Sequence, residues 1–353
     1  MRPAPPTSQV SLTEQQTSPG AAPTDAQSAV TVVYIGGDGR SGSTLLELIL
    51  DHIPGFVAVG ELNYIWERGL LKNEPCGCGR PFRECPFWER VGQEAFGGWG
   101  ELDPREMLKL ERSVTRLRSW PLLFVTRLQR RSFKKAVTEY TKRMERLYLA
   151  AAAVSACPVV VDSSKNPCLA LLLGLMPGVK ARIVHIVRDS RGVAFSWTRH
   201  VLRSRAAAGS YMPTFPPWYS SIVWTVKNLL YDVMKARGIS HLFLRYESLV
   251  PSTRREVERV LHYANVVVPE RDLSFLDEGA ITLGTNHSVS GNPMRFRRGR
   301  MPLRVDDEWR REMSLPQRVL VSVMTAPLLL AYRLWGGYPA AAETSGNADA
   351  PFA

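Results

Sequence analysis

A short apolar run that ends in a glycine-rich turn and passes directly into an apolar helix restricts a chain to few folds. Residues 32–46 are such a stretch. Val32-Val33-Tyr34-Ile35 is β-branched and aromatic and is bounded by glycine, the pattern of an interior parallel strand. Gly36-Gly37-Asp38-Gly39-Arg40-Ser41-Gly42 supplies the turn, and Ser43-Thr44-Leu45-Leu46 opens a helix whose apolar face continues through Leu48, Ile49 and Leu50. Backbone N–H groups at such a helix start lack intrahelical partners and converge on one spot, with the helix dipole behind them. The turn is therefore a predicted anion site, most often for phosphate.

The nucleotide-binding pattern G-x-x-x-x-G-K-[ST] is met by Gly37, Gly42 and Thr44, but Ser43 stands at the lysine position and the cation is Arg40, inside the turn. Without the lysine that reaches the β- and γ-phosphates, turnover of ATP or GTP is disfavoured. A shorter phospho-anion held by arginine, hydroxyls and amides fits better. Gly39-Arg40-Ser41-Gly42-Ser43-Thr44-Leu45-Leu46 resembles the 5′-phosphosulfate loop of sulfotransferases that use 3′-phosphoadenosine 5′-phosphosulfate (PAPS). It is nearest to the P-R-S-G-[ST]-T form of tyrosylprotein and many bacterial sulfotransferases, with Gly39 where proline often stands. The resemblance implies that Arg40, Ser41, Gly42, Ser43 and Thr44 bind the 5′-phosphosulfate, with Arg40 also acting on the reacting group.

Further apolar runs follow at regular intervals, each ending in a polar tip. Residues 56–60 end on Gly60-Glu61; in an open α/β sheet the carboxyl end of a strand is where ligands sit, which places Glu61 beside the turn. A surface carboxylate or a partner for Arg40 is the plainer reading. A Gly-Glu at this spacing supplies the catalytic base in tyrosylprotein sulfotransferases, so the resemblance implies that role for Glu61, whereas Leu62-Asn63-Tyr64 departs from that family's acceptor pattern. Residues 158–162 lead into Asp162-Ser163-Ser164-Lys165, a segment resembling many bacterial sulfotransferases, in which Lys165 would stabilise charge on the transferred sulfuryl; simple pairing of Asp162 and Lys165 with neighbours competes with this.

Residues 182–187 precede Arg188-Asp189-Ser190-Arg191, with Ser196 eight residues beyond Arg188. An arginine at a strand end and a serine two turns into the next helix can converge on one phosphate. The arrangement resembles the 3′-phosphate site of sulfotransferases, with Arg188 and Ser196 in the binding positions. Residues 241–246 end in Tyr246-Glu247, resembling the family segment whose tyrosine lies against the adenine. Arg297-Arg298-Gly299, in a basic loop without helical period, resembles the element that closes over the 3′-phosphate; Arg298 and Gly299 are the implied positions. His185, within an apolar strand, reads as a core histidine, and Arg191 as structural.

Composition constrains the remainder. The 353 residues carry a net charge of +12, which calls for an anionic partner or serves solubility, and no nucleic-acid-binding pattern accompanies it. Residues 101–150 hold 13 Lys and Arg against 6 Asp and Glu. This basic helical insert, broken at Pro121, reads either as a solvated lid or as a docking face for an acidic acceptor or a membrane surface. Residues 1–29 lack an apolar core and read as a disordered tail, 336–353 as a flexible one, and no stretch is long enough to span a membrane, so a cytoplasmic protein is expected. Cys76, Cys78 and Cys85, in a loop at 72–90, could hold zinc with a fourth ligand from elsewhere, or brace the loop as reduced thiols.

The fold expected is α/β: a P-loop-like three-layer domain over 30–335, with about five parallel strands and helices on both faces. The function implied is sulfuryl transfer from PAPS, with no metal required, to a small-molecule, carbohydrate or lipid hydroxyl, with neither nucleic acid nor a membrane span involved. A P-loop-type nucleotide kinase and a non-enzymatic polyanion-binding protein are the alternatives. The acceptor, set by 62–150 and 205–220, and the oligomeric state are not encoded in any readable pattern.

Overall fold

The structure, a computed structural model, describes residues 29–202, 211–276 and 279–333. The predicted tails, apart from residue 29, and the first part of the 205–220 loop lie outside them. Five strands form one parallel sheet: β1 (Val30–Gly37), β2 (Phe56–Gly60), β3 (Val159–Asp162), β4 (Val179–Val187) and β5 (His241–Arg245), in the order β2-β3-β1-β4-β5. The expected α/β architecture is therefore the observed one.

β1 sits at the centre because its residues suit neither surface of a half-exposed sheet. Val32, Val33, Tyr34 and Ile35 are all fully buried, each contributing about 1.5–3 kcal/mol relative to exposure. The two-residue period sends Val32 and Tyr34 into one core with the helices Pro86–Phe96, Arg131–Ser155 and Pro167–Leu173. Val33 and Ile35 enter the other, with the helices Ser43–Leu50 and Thr253–Ala264. The connection leaving β1 thus covers one face and that leaving β3 covers the other, so the chain reverses its direction of winding beside β1. Ligands bind open α/β sheets at such a point.

The basic segment at 101–150 belongs to the body of the fold. Its long helix Arg131–Ser155 buries Tyr140, Met144, Leu147 and Tyr148, while Arg130, Arg131, Lys134 and Lys135 are exposed on its outer side. Pro121 opens a separate short helix, Trp120–Phe124, as a first-turn proline can. A second, two-stranded antiparallel ladder of β6 (Ala280–Leu283) and β7 (Gly299–Pro302), which the sequence pattern did not predict, closes the base of the loop between them.

That loop is tied to the sheet through Glu47, which is 1% exposed. Its carboxyl accepts hydrogen bonds from Ser163 Oγ after β3 and Ser288 Oγ in the loop. Val289 N–H donates to the Val59 carbonyl at 3.0 Å, so loop backbone lies directly on Gly60. A Cβ at Gly60 would fall 2.7 Å from Val289 N and 2.9 Å from Ser288 Cα, and Gly60 has φ +80°. Only glycine fits between these backbones.

Two predictions follow from this packing. Gly60→Ala lowers stability by about 1–3 kcal/mol, read from urea unfolding, because both the φ and the space must yield; unchanged stability would contradict the packing. The second concerns pH. Burial, outweighing its two serine hydrogen bonds, pushes Glu47 up to about 7, and burial likewise pushes Glu247 to about 7 and Glu111 to about 8. A carboxyl raised above its unfolded value of about 4.3 binds more protons when folded, so stability falls as pH rises from about 4.5 through about 8. Glu47→Gln, which can accept from one serine and donate to the other, keeps the fold and makes that fall in Tm shallower. A slope unaltered by the substitution would show that Glu47 does not titrate in this range.

Candidate functional site

The carboxyl ends of all five strands open into one cavity of about 760 Å³. Asp38, Gly39, Arg40, Gly42, Ser43 and Thr44 reach it from the turn after β1, Glu61 from β2, Ser164 and Lys165 from β3, Arg188 and Ser196 from β4 and its helix Ser190–Thr198, and Tyr246 from β5. Parallel strands placed these distant positions along one edge, as the strand-end argument expects.

The turn after β1 is strained and unsatisfied. Arg40 is held at φ +66°, uncommon for a residue with a side chain. Its guanidinium lies over the Trp197 ring at 4.7 Å, and its Nε and Nη2 are buried without a hydrogen-bond partner. Burial and the nearby Arg188 charge lower the Arg40 pKa, and Glu61 works against that shift. The helix Ser43–Leu50 starts from Gly42 at φ 91° with no side chain capping it. Ser41 is fully buried outside the cavity wall, and its Oγ also lacks a partner. Cationic and amide donors without acceptors, gathered at one helix start, form a site for an anion.

Glu61 and Lys165 form a nearly buried ion pair, Nζ to Oε1 at 2.8 Å, with side chains 13% and 9% exposed. Lys165 also donates to the Ser163 carbonyl and has φ +59°. Burial alone would raise Glu61; Lys165, with Arg68 and Arg295, more than offsets it and holds the carboxyl below its ordinary range. Glu61 is therefore ionised at neutral pH. The predicted alternative, pairing with Arg40, is not the one adopted. Asp162 does not reach the cavity: it is fully buried, accepting from Tyr148 and Ser164.

Arg188 is shared between neighbours. Its Nη1 donates to the Arg40 carbonyl at 3.2 Å, its Nη2 lies 3.0 Å from Asp306 Oδ2, and its guanidinium stacks over Tyr246 at 4.7 Å. Tyr246 OH accepts from the Asp306 N–H at 3.2 Å. His185 is a core residue, fully buried with Nε2 2.8 Å from Asn228 Oδ1, and Arg191 pairs with Asp189 at 2.6 Å.

The structure does not bring Arg298 and Gly299 to the cavity. Arg298 is turned onto the carbonyls of Arg295, Arg297 and Gly77, and Gly299 begins β7; Arg297 lines the cavity in their place. Several lining residues were missed in the sequence. Lys227 pairs with Asp38 at 2.9 Å across 189 positions, and its cue was a cation in the middle of the helix Pro217–Ala236, away from the last turn where Lys235 stands. Arg68 reaches Ser290 Oγ at 2.8 Å, and Trp197 joins Phe215 and Tyr219, which lie in the 205–220 segment expected to set the acceptor, in an aromatic wall with successive centroids 5.1 Å apart.

Cys76, Cys78 and Cys85 meet a fourth residue, His287, and their ligand atoms all lie within 4.8 Å of one another. All five cysteines are unpaired.

No curated protein matches the chain. Among solved structures, the sulfotransferase domain of the Synechococcus PCC 7002 olefin synthase is 16% identical, covering 88% of this chain and 98% of its own, with a TM-score of 0.49. The sulfotransferase domain of the curacin biosynthetic pathway is 16% identical, covering 85% and 97%, with a TM-score of 0.47. A mouse sulfotransferase complexed with PAP is 12% identical, covering 86% of each chain, with a TM-score of 0.40. The family model described as "Sulfotransferase family" matches residues 33–270, which runs from within β1 through β5 and takes in the residues at the carboxyl ends of all five strands. The chain belongs to the sulfotransferase family.

Proposed function

We propose that this chain moves a sulfuryl group from PAPS to an acceptor hydroxyl by in-line displacement, with Glu61 as general base. The observation that carries this reading is the pair of buried donors without acceptors, Arg40 Nε and Nη2, at an uncapped helix start beside an ionised carboxylate. A kinase reading lacks the lysine at Ser43, and a general polyanion binder needs no buried carboxylate at its centre.

In this reading the amides of the 40–44 turn, Arg40 and the Ser43 and Thr44 hydroxyls hold the 5′-phosphosulfate. They stabilise charge developing on the bridging oxygen as its bond to sulfur breaks. The acceptor oxygen forms the new bond to sulfur, and its proton passes to Glu61, an effect generally worth about 10²–10⁴-fold. Lys165, already at Glu61, turns its charge to the sulfuryl oxygens. Arg188 and Ser196 anchor the 3′-phosphate, Arg297 takes the part expected of Arg298, and Tyr246 offers a face to the adenine. Holding the remote phosphate orients the reacting end.

The acceptor side is apolar. Leu117, Met212, Pro213, Phe215 and Tyr219 also line the cavity, which favours a phenolic or lipid-like small molecule over a carbohydrate. The proposed compartment is the cytoplasm, in keeping with unpaired cysteines.

Calorimetric titration with 3′-phosphoadenosine 5′-phosphate beside ADP tests the donor site. The 3′-phosphorylated nucleotide alone should bind tightly, with Arg188→Ala costing about 1.5–3 kcal/mol, as expected for a charged contact. Equal binding of ADP would contradict the reading. Asp306→Asn, which removes the carboxylate charge beside Arg188 while leaving its 2.6 Å bond to the Asp306 carbonyl, should tighten the same nucleotide and leave ADP unchanged. For the chemistry, Glu61→Gln should lower kcat by about 10²–10⁴-fold with nucleotide affinity retained, and wild-type kcat/KM should stay flat on the acid side until pH falls below about 4.5, since Glu61 lies below its usual range. A wild-type rate retained in Glu61→Gln would remove it as the base.

A further inference from the structure

We infer that Cys76, Cys78, Cys85 and His287 form a structural zinc site that clamps the loop carrying Asn286–Arg297 to the rest of the protein. The Cys78 and Cys85 sulfurs are 3.7 Å apart, and His287 Nδ1 is 3.3 Å from Cys85 Sγ and 3.8 Å from Cys76 Sγ. A tetrahedral ion with bonds of about 2.3 Å to sulfur and about 2.0–2.1 Å to nitrogen requires edges of roughly 3.8 Å and 3.5 Å, close to these three separations, and all four donors lie within 4.8 Å of one another. Cys76 and Cys85 are fully buried. Thiols acting only as small apolar fillers face aliphatic carbon; these three face each other and a histidine nitrogen, unbonded. Three thiolates and one imidazole select zinc over hard cations.

The surroundings fix the ligands as a metal centre requires. Phe87 stacks on the His287 ring at 4.8 Å and 18°, which holds the ring plane, and Trp88 Nε1 donates to the His287 carbonyl at 2.8 Å, which holds its backbone. The Cys76-Gly77-Cys78 turn closes through Gly79 N–H to the Cys76 carbonyl, 2.8 Å, and Gly77 N–H donates to the Ser288 carbonyl, 2.9 Å. A side chain at Gly77 would collide with Asn286 Oδ1, so this turn and the loop can approach only with glycine there. On binding, the three thiols release their protons to solvent and no redox step is involved. The ion would serve position. From His287 the chain runs to Ser288, which holds Glu47, to Ser290, which holds Arg68, and to Gly291, Asn292, Met294 and Arg297, which line the cavity.

The test uses the full-length chain, purified without chelator or affinity metal, and does not depend on which donor or acceptor it uses. Elemental analysis should give about one zinc per chain, chelation should expose Cys76, Cys78 and Cys85 to a thiol reagent while the buried Cys168 reacts only after denaturation, and cobalt exchanged into the protein should show the thiolate charge-transfer and intense visible bands of a tetrahedral ion. Cys85→Ser and His287→Ala should lose the zinc, His287→Cys should retain it, and chelation should speed amide hydrogen exchange across 286–297. Should the variants fail to fold, the wild-type cobalt spectrum decides the matter. A folded, reduced wild-type chain that holds no zinc and takes up no tetrahedral cobalt would overturn the site, as would zinc retained in both Cys85→Ser and His287→Ala.

Discussion

The candidate site depends on the backbone at the end of β1, where the chain turns into a helix without a side-chain cap. A central parallel strand must deliver its chain to a helix on one face, and the first amides of that helix then point at the sheet's carboxyl edge without partners. Here no side chain caps them, and Arg40, in a left-handed conformation, adds buried donors that find no acceptor within the protein. Such an arrangement costs stability in the free protein and is repaid only by an anion. The neighbouring strands bring Glu61, Lys165, Arg188 and Tyr246 to the same edge.

A second constraint keeps that edge in register. Buried Glu47 joins the helix after β1 to Ser163 beyond β3 and Ser288 in the closing loop, and the loop backbone lies on Gly60 beside Glu61. The carboxylate that would take the acceptor proton is therefore set by contacts between segments far apart in the chain. The Cys and His cluster continues the same device outward, joining the loop to the turn at Cys76–Cys78. Function at this edge needs a closing loop, and a loop without regular structure needs fixed points.

Much of this was legible in the sequence, for identifiable reasons. β1, β2 and β3 are short and buried on both faces, and β4 ends in a buried run, so they read as continuous apolar runs, and strand ends in a parallel sheet carry the site. Glu61, Lys165, Arg188, Ser196 and Tyr246 were found by that rule together with family resemblance, and all line the cavity. Where the backbone has no period the reading failed. Arg297 and Arg298 are indistinguishable in sequence, and the Gly77 carbonyl, more than two hundred positions away, draws Arg298 aside. His287 was invisible as a fourth ligand for the same reason, as were the Asp38–Lys227 pair and the short ladder of β6 and β7. In each case the partner is set by tertiary structure alone.

The most direct test of the account is a crystal structure with 3′-phosphoadenosine 5′-phosphate bound. The account predicts the 5′-phosphate within hydrogen-bonding distance of Arg40 and the amides at the start of the helix Ser43–Leu50, the 3′-phosphate on Arg188 and Ser196, and a free path from Glu61 to the 5′-phosphate. A nucleotide seated elsewhere, or one whose 3′-phosphate meets solvent while Arg40 stays without an acceptor, would contradict it.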